Sequence, residues 1–184
     1  MSPANTLAPL EAPFPPDIAE ILANYPQQDG YLLSLFRTFA NSKRFLLKGM
    51  PNLLDKESPL SLREREIVIL RVTALRDCEY EWGVHVAIFA QAAKLTDAQV
   101  AATRLGDATD PAWRPEDSVL IEAVDGFIKS GRPSPEAVAR FQAAHSAEKQ
   151  LEVIALCGAY QTVSFVARLA ELPLEPFSAK FPVA

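Results

Sequence analysis

Cys78, Glu81 and His85 stand at i, i+3 and i+7 of one segment, Cys78-Glu79-Tyr80-Glu81-Trp82-Gly83-Val84-His85. At about 100° per residue a helix puts the three within an arc of about 60°, so a thiol, a carboxylate and an imidazole share a face. Glu81 and His85, four residues apart, can hydrogen-bond, which raises the basicity of the imidazole and fixes its tautomer. Cys78 falls in the first turn, where the helix dipole favours thiolate while Glu79 and Glu81 oppose it, so the direction of its pKa stays open. Upstream, Glu66 heads the otherwise apolar run Glu66-Ile67-Val68-Ile69-Leu70. Brought to His85 across a helical hairpin, it makes a proton relay inside a helical core. The competing reading is structural, with Cys78 a small buried residue, Glu81 and His85 a surface helix pair, and Trp82 part of the core. All four candidates are metal-ligand types, but their spacing fits no standard zinc motif, so neither a metal nor a cofactor is expected.

The elements that must position these groups are helical. Pro3, Pro9, Pro13, Pro15 and Pro16 mark residues 1–16 as an extended proline-rich arm, and nothing between Pro59 and Pro111 is proline. Residues 17–184 read as a single domain that is all-α, since alternating β-branched runs and Asn-Gly or Asp-Gly turns do not occur. The pattern predicts about eight helices, the first near Asp17–Tyr25 and the second from about Gly30 to Gly49. Ser61 and Glu64 form a capping box for a helix to about Arg76, and Asp77 caps the next, to about Ala93. Thr96 and Gln99 open a short helix to Gly106, and Pro115 and Gly131 bracket another. Ser134-Pro135 starts one more, and the last covers roughly Ala147 to Leu172. The arm is a candidate to pack on a neighbouring subunit.

Composition narrows the partners. The 184 residues are 49% hydrophobic and 22% charged with a net charge of −5, an ordinary soluble composition without a basic footprint for nucleic acid or anionic lipid. Two cysteines are too few for a disulfide scaffold, the N-terminal sequence lacks a signal-peptide pattern, and a cytoplasmic location is expected. The apolar segment Val153–Ala167 is shorter than the ~20 residues of a membrane span and reads as a buried helix. Arg71 reads as the partner of a carboxylate such as Glu79 or of a subunit neighbour. His145 reads as a capping or surface residue, Cys157 as core, and Tyr160 as lining a pocket or, the favoured reading, as core. Phe36, Phe39, Phe45 and the final helix offer more apolar stripe than one small core needs, which points to a homo-oligomer.

Glu66, eleven residues, Cys78, two residues, Glu81, three residues and His85 form a spaced pattern framed by Leu60-Ser61-Leu62-Arg63-Glu64-Arg65-Glu66. It resembles the motif of the carboxymuconolactone decarboxylase and alkylhydroperoxidase D (AhpD) superfamily. The likeness spans about residues 58–105 and, more weakly, 151–172. It implies an AhpD-like multihelical fold in which a central antiparallel hairpin carries the site, with Glu66, Cys78, Glu81 and His85 as catalytic residues. It also implies trimers or hexamers, sometimes dimers, with sites close to subunit contacts. In the peroxidase branch a second cysteine stands where this chain has Glu81, so the Cys-x-x-Cys disulfide cannot form here, although Cys78 alone can still reach a sulfenic acid. Glu79 to His85 is instead similar to the decarboxylase branch, where Glu-x-Glu is followed by three residues and His.

The leading expectation is therefore an acid–base enzyme acting on a small organic acid or lactone. Losing carbon dioxide leaves a dienolate-like charge, which calls for a general acid and a donor to the developing anion. A one-cysteine antioxidant thiol enzyme and a non-catalytic helical oligomer are the alternatives.

Overall fold

The structure is a computed structural model and describes residues 7–183. Among these residues there are nine α-helices and no strand. They are α1 (Pro16–Leu22), α2 (Ser34–Phe39), α3 (Lys43–Lys48), α4 (Leu62–Leu75), α5 (Glu79–Phe89), α6 (Asp97–Leu105), α7 (Pro115–Ser130), α8 (Pro135–Ala144) and α9 (Ala147–Leu169). Helix α4 is the axis, packing against α5, α6, α7 and α9. Ile67, Val68, Ile69, Leu70 and Val72 are all fully buried. A helix buried on every side over these residues belongs in the middle of a bundle rather than on its surface.

Four helix boundaries follow from residue chemistry at fixed offsets. Ser61 with Glu64 and Thr96 with Gln99 form the reciprocal capping boxes, and Pro115 opens α7 while Gly131, at φ +73°, closes it. Other boundaries differ from the sequence reading. The stretch expected as one helix from Gly30 to Gly49 is two, because the Ser42 hydroxyl takes the Phe45 N–H and starts α3 afresh. Asp77 is not a cap: it adopts φ +54° in the turn that ends α4, and Cys78 is the N-cap of α5. In that turn Cys78 N–H bonds the Thr73 carbonyl and Asp77 N–H the Ala74 carbonyl, the paired bonds of a Schellman ending. Helix α5 stops at Phe89 and α9 at Leu169, a little short of the expected ends.

Arg71 pairs with Asp125 (2.5 Å), not Glu79, and its other nitrogen takes the carbonyls of Thr103 and Gly106, which ties α4 to α7 and to the end of α6. His145 is buried, donating through Nδ1 to the Phe141 carbonyl (3.1 Å) with its ring on Phe141. Residues 1–6 of the proline-rich arm lie outside the described residues. The rest lies on its own subunit, where Leu10 N–H bonds the Arg37 carbonyl and Asn41 bonds the Ala8 carbonyl. Phe36, Phe39 and Phe45 are not an outward stripe: they stack with one another and with Tyr25 at centroid separations of 5.0–6.3 Å.

Residues 173–183 run back over α5 as a strap. Ala179 N–H bonds the Gly83 carbonyl (3.1 Å), Phe181 N–H bonds Glu79 (2.8 Å), and the Phe181 ring packs on Trp82. Gly83 is required here, since a Cβ at that position would stand 2.1 Å from the Ala179 carbonyl oxygen.

Candidate active site

The near-absence of a loop between α4 and α5 turns the two helices antiparallel and sets Glu66 against His85. Glu66 Oε2 lies 2.8 Å from His85 Nδ1, and Glu81 Oε1 lies 3.4 Å from Nε2. Helix α9 contributes a third oxygen, the Tyr160 hydroxyl, 3.1 Å from the same Nε2. The Tyr160 ring meets the imidazole edge-on, at 84° with centroids 5.2 Å apart, and Phe89 covers it at 5.2 Å. Glu66, Glu81, His85 and Tyr160 are all buried, and Glu81 Oε2 has no hydrogen-bond partner.

This geometry fixes the charge of the imidazole. Burial pulls its pKa down, but the field and hydrogen bond of Glu66, followed by those of Glu81, outweigh that and push it up to about 10. At neutral pH His85 is an imidazolium and its ready chemistry is proton donation, in the direction of the raised basicity that the Glu81–His85 spacing implied. Nδ1–H donates to Glu66, which leaves Nε2–H facing Glu81 and Tyr160.

Cys78 belongs to a different environment. Among the described residues the hydrogen bonds of His85 go to carboxylates and to Tyr160, none to the Cys78 sulfur. Burial drives the thiol up to about 11, against partial help from the Glu81 backbone N–H, Ser164 and Arg168. The position at the head of α5 does not rescue the thiolate, because a desolvated sulfur loses more than one helix end returns. Cys78 lines a cleft of about 380 Å³ walled by Tyr80, Arg168 and Leu172 to Leu174, one turn of α5 before Glu81. Cys157, on α9, is a buried free thiol held up to about 12 by desolvation.

The structure thus gathers Glu66, Glu81 and His85, and leaves Cys78 beside them without joining it to them. Sequence reasoning read Tyr160 as pocket-lining or core, and it is buried; its hydroxyl contact with His85 was not foreseen. The available signal was a phenol on the mostly apolar inner face of α9, among Val153, Leu156, Cys157, Val163 and Ala167, since a buried hydroxyl needs a partner. Among the described residues no group of three or more His, Cys, Asp or Glu is arranged to hold a metal ion.

Residues 45–125, which include the whole α4–α5 hairpin, match the profile of the Carboxymuconolactone decarboxylase family. Over these residues the chain is similar to the carboxymuconolactone decarboxylase and AhpD-like superfamily. Solved structures agree on this fold. The debrominase Bmp8 in its apo form superposes with a TM-score of 0.76 at 13% identity, covering 95% of this chain and 95% of that one. A protein of unknown function from Agrobacterium tumefaciens, described as a candidate antioxidant defence protein AhpD, superposes with a TM-score of 0.55 at 18% identity, covering 68% of this chain and 82% of that one. At these identities the likeness is one of fold. No curated protein matches the chain by sequence. Within the matched residues the chain carries the Glu66–His85 pair with a carboxylate, Glu81, one turn after Cys78.

Proposed function

We propose that this protein is an acid–base enzyme of the decarboxylase type, acting on a small carboxylated lactone or related organic acid with His85 as proton donor. The observation that carries this reading is His85 between two buried carboxylates, protonated at neutral pH, while the nearby thiol is held protonated by burial. The chemistry balances without a cofactor. The bond to the departing carboxylate breaks, its electron pair spreads into the conjugated system as a dienolate, and carbon dioxide leaves. The proton of His85 then forms the new C–H bond and solvent restores it, so one proton is consumed and no electron is transferred. Glu66 orients the ring through Nδ1, and both carboxylates hold it charged until transfer.

The test is a panel of carboxylated β,γ-unsaturated lactones incubated with the protein in D2O. The expected result is carbon dioxide release with one deuterium on carbon in the product. Wild-type protein inert across the panel overturns the reading.

One observation favours a second reading, a one-cysteine thiol enzyme. Cys78 lines the cleft at the turn between α4 and α5, so its side of the site faces an opening. Intact-mass analysis after hydroperoxide treatment, with Cys78→Ser as control, separates the two. A sulfenic adduct at Cys78 supports the thiol enzyme, and an unmodified thiol supports acid–base chemistry.

The reading includes a homo-oligomer in the cytoplasm. Two buried free thiols are consistent with a reducing compartment. Leu151, Ile154, Phe165 and Leu169 line the outer side of α9 and are 47–75% exposed, which supports a covered face in the assembly. Sedimentation of the wild type above monomer mass, lowered by Phe165→Asp, is the expected outcome, and a monomer at micromolar concentration overturns it.

A further inference from the structure

Tyr160 has no part in the mechanism above, yet its hydroxyl stands on the nitrogen that gives the proton. The protonated ring has two N–H groups. The one at Nδ1 goes to Glu66, and two oxygens reach for the one at Nε2: Tyr160 at 3.1 Å and Glu81 Oε1 at 3.4 Å. A hydroxyl oxygen that accepts Nε2–H still carries its own hydrogen. Among the described residues that hydrogen meets no acceptor, because the contact to His85 is the only hydrogen bond of the Tyr160 hydroxyl. Beside the same nitrogen, Glu81 Oε2 is buried with no donor. A buried O–H without an acceptor and a buried carboxylate oxygen without a donor each cost about 1–3 kcal/mol in a finished core. Two such atoms within reach of one nitrogen mark a place completed by something other than the protein.

We propose that Tyr160 is the oxyanion donor of this site: its O–H binds the oxygen on which charge develops, and its oxygen holds His85 Nε2–H only until that proton passes to carbon. The ligand class is a small molecule whose reacting carbon is conjugated to a carbonyl, so that the electron pair released on bond cleavage arrives on oxygen. The proposal rests on the acid–base reading and supplies the donor which that chemistry needs and His85, Glu66 and Glu81 do not provide. No bond to Tyr160 forms or breaks. The phenol stays neutral because burial, and then the charges of Glu81 and Glu66, hold it well above its ordinary ionisation range. A neutral O–H fixed in a dry site in this way stabilises an oxyanion without reorganising.

The test uses Tyr160→Phe, which keeps the ring packed on His85 and removes only the hydroxyl, and two readouts. With a lactone that the wild type decarboxylates, kcat is expected to fall about 10²–10³-fold with KM little changed, as for the loss of one oxyanion donor. Independently of turnover, 4-nitrophenol serves as an oxyanion probe. Wild type is expected to bind it as the phenolate, read by its visible absorbance, and Tyr160→Phe to bind it at least about tenfold more weakly, as for a lost charge-assisted hydrogen bond. Equal binding by both proteins, or binding by neither, overturns the proposal, as does an unchanged kcat. A wild type that binds the phenolate through Tyr160 but releases no carbon dioxide keeps the donor assignment and fails the decarboxylase reading instead.

Discussion

Glu175 and Glu81 are both buried, 4% and 6% exposed, and both sit at α5, yet their surroundings are opposite. Glu175, on the strap, is fully served: Tyr31 (2.9 Å) donates to one oxygen, and Tyr80 (2.5 Å) and the Ser34 N–H (2.8 Å) to the other. Glu81 leans on His85 with one oxygen and has nothing on the other. A satisfied buried carboxylate is a fixing point, joining the strap to α2 and α5. Under the proposed function, one left unsatisfied beside an imidazolium and an idle phenol is a position kept for reaction, where stability is given up for chemistry. Burial is the same in both, and the number of donors separates the two roles.

The largest break in this comparison is His85→Ala. It removes the proton donor and leaves Glu66 and Glu81 as uncompensated buried charges, so turnover should drop about 10²–10⁴-fold and stability by about 3–5 kcal/mol, read by kinetics and urea melts. The wild type shows the same pair in its pH dependence. Because the folded His85 pKa is raised from 6.5 to about 10, its contribution to stability is complete below pH 6.5 and is lost as pH rises through about 10. An alkaline loss of stability that is absent from His85→Ala is the expected signature.

Gly83→Ala comes next. Its methyl group drives the Ala179 carbonyl away, detaching the strap at a cost of about 1–3 kcal/mol, visible as a lowered Tm and earlier proteolysis at residues 173–183. The glutamate pair gives the sharpest contrast. Glu175→Gln weakens three donors' hold and should cost about 1–3 kcal/mol with turnover retained, whereas Glu81→Gln removes a half-partnered buried charge and should leave stability near wild type while turnover falls. If both variants behave alike, donor count does not separate the roles. The smallest effect is expected from Cys78→Ser. Serine is the better N-cap, so stability should change by no more than about 1 kcal/mol and turnover should stay close to wild type. Damage equal to that of His85→Ala would transfer the chemistry to the thiol.

The hairpin, the capping boxes of α4 and α6 and the limits of α7 were legible in the sequence, because each is written in side chains a few residues apart. So was the meeting of Glu66 with His85, since a two-helix turn with almost no loop leaves little choice of partner. The end of α4 was legible to within one residue, whereas the ends of α5 and α9 were read too long. The turns beyond those two helices hold Lys94 and Glu171 at positive φ (57° and 49°) without the glycine that advertises such a stop. The break between α2 and α3 was hidden by apolar residues that keep helical spacing across it. Partners far along the chain escaped for a simpler reason. Arg71 finds Asp125 54 residues away and Tyr160 finds His85 75 residues away, and local periodicity carries no information about which distant element packs where.

The strap also sets an order of events during synthesis. Tyr80 waits for Glu175, 95 residues downstream, and Glu79 for the backbone of residue 181, 102 residues downstream. By the time α8 has been made, the α4–α5 hairpin is far from the growing end, with its acidic side chains and the bare backbone of Gly83 not yet covered by the strap. The imidazole receives its last neighbour only when α9 emerges, and the outer side of α5 is sealed later still. A nascent chain stalled after α8 therefore carries the recognisable motif and none of the enclosed environment that gives it chemistry.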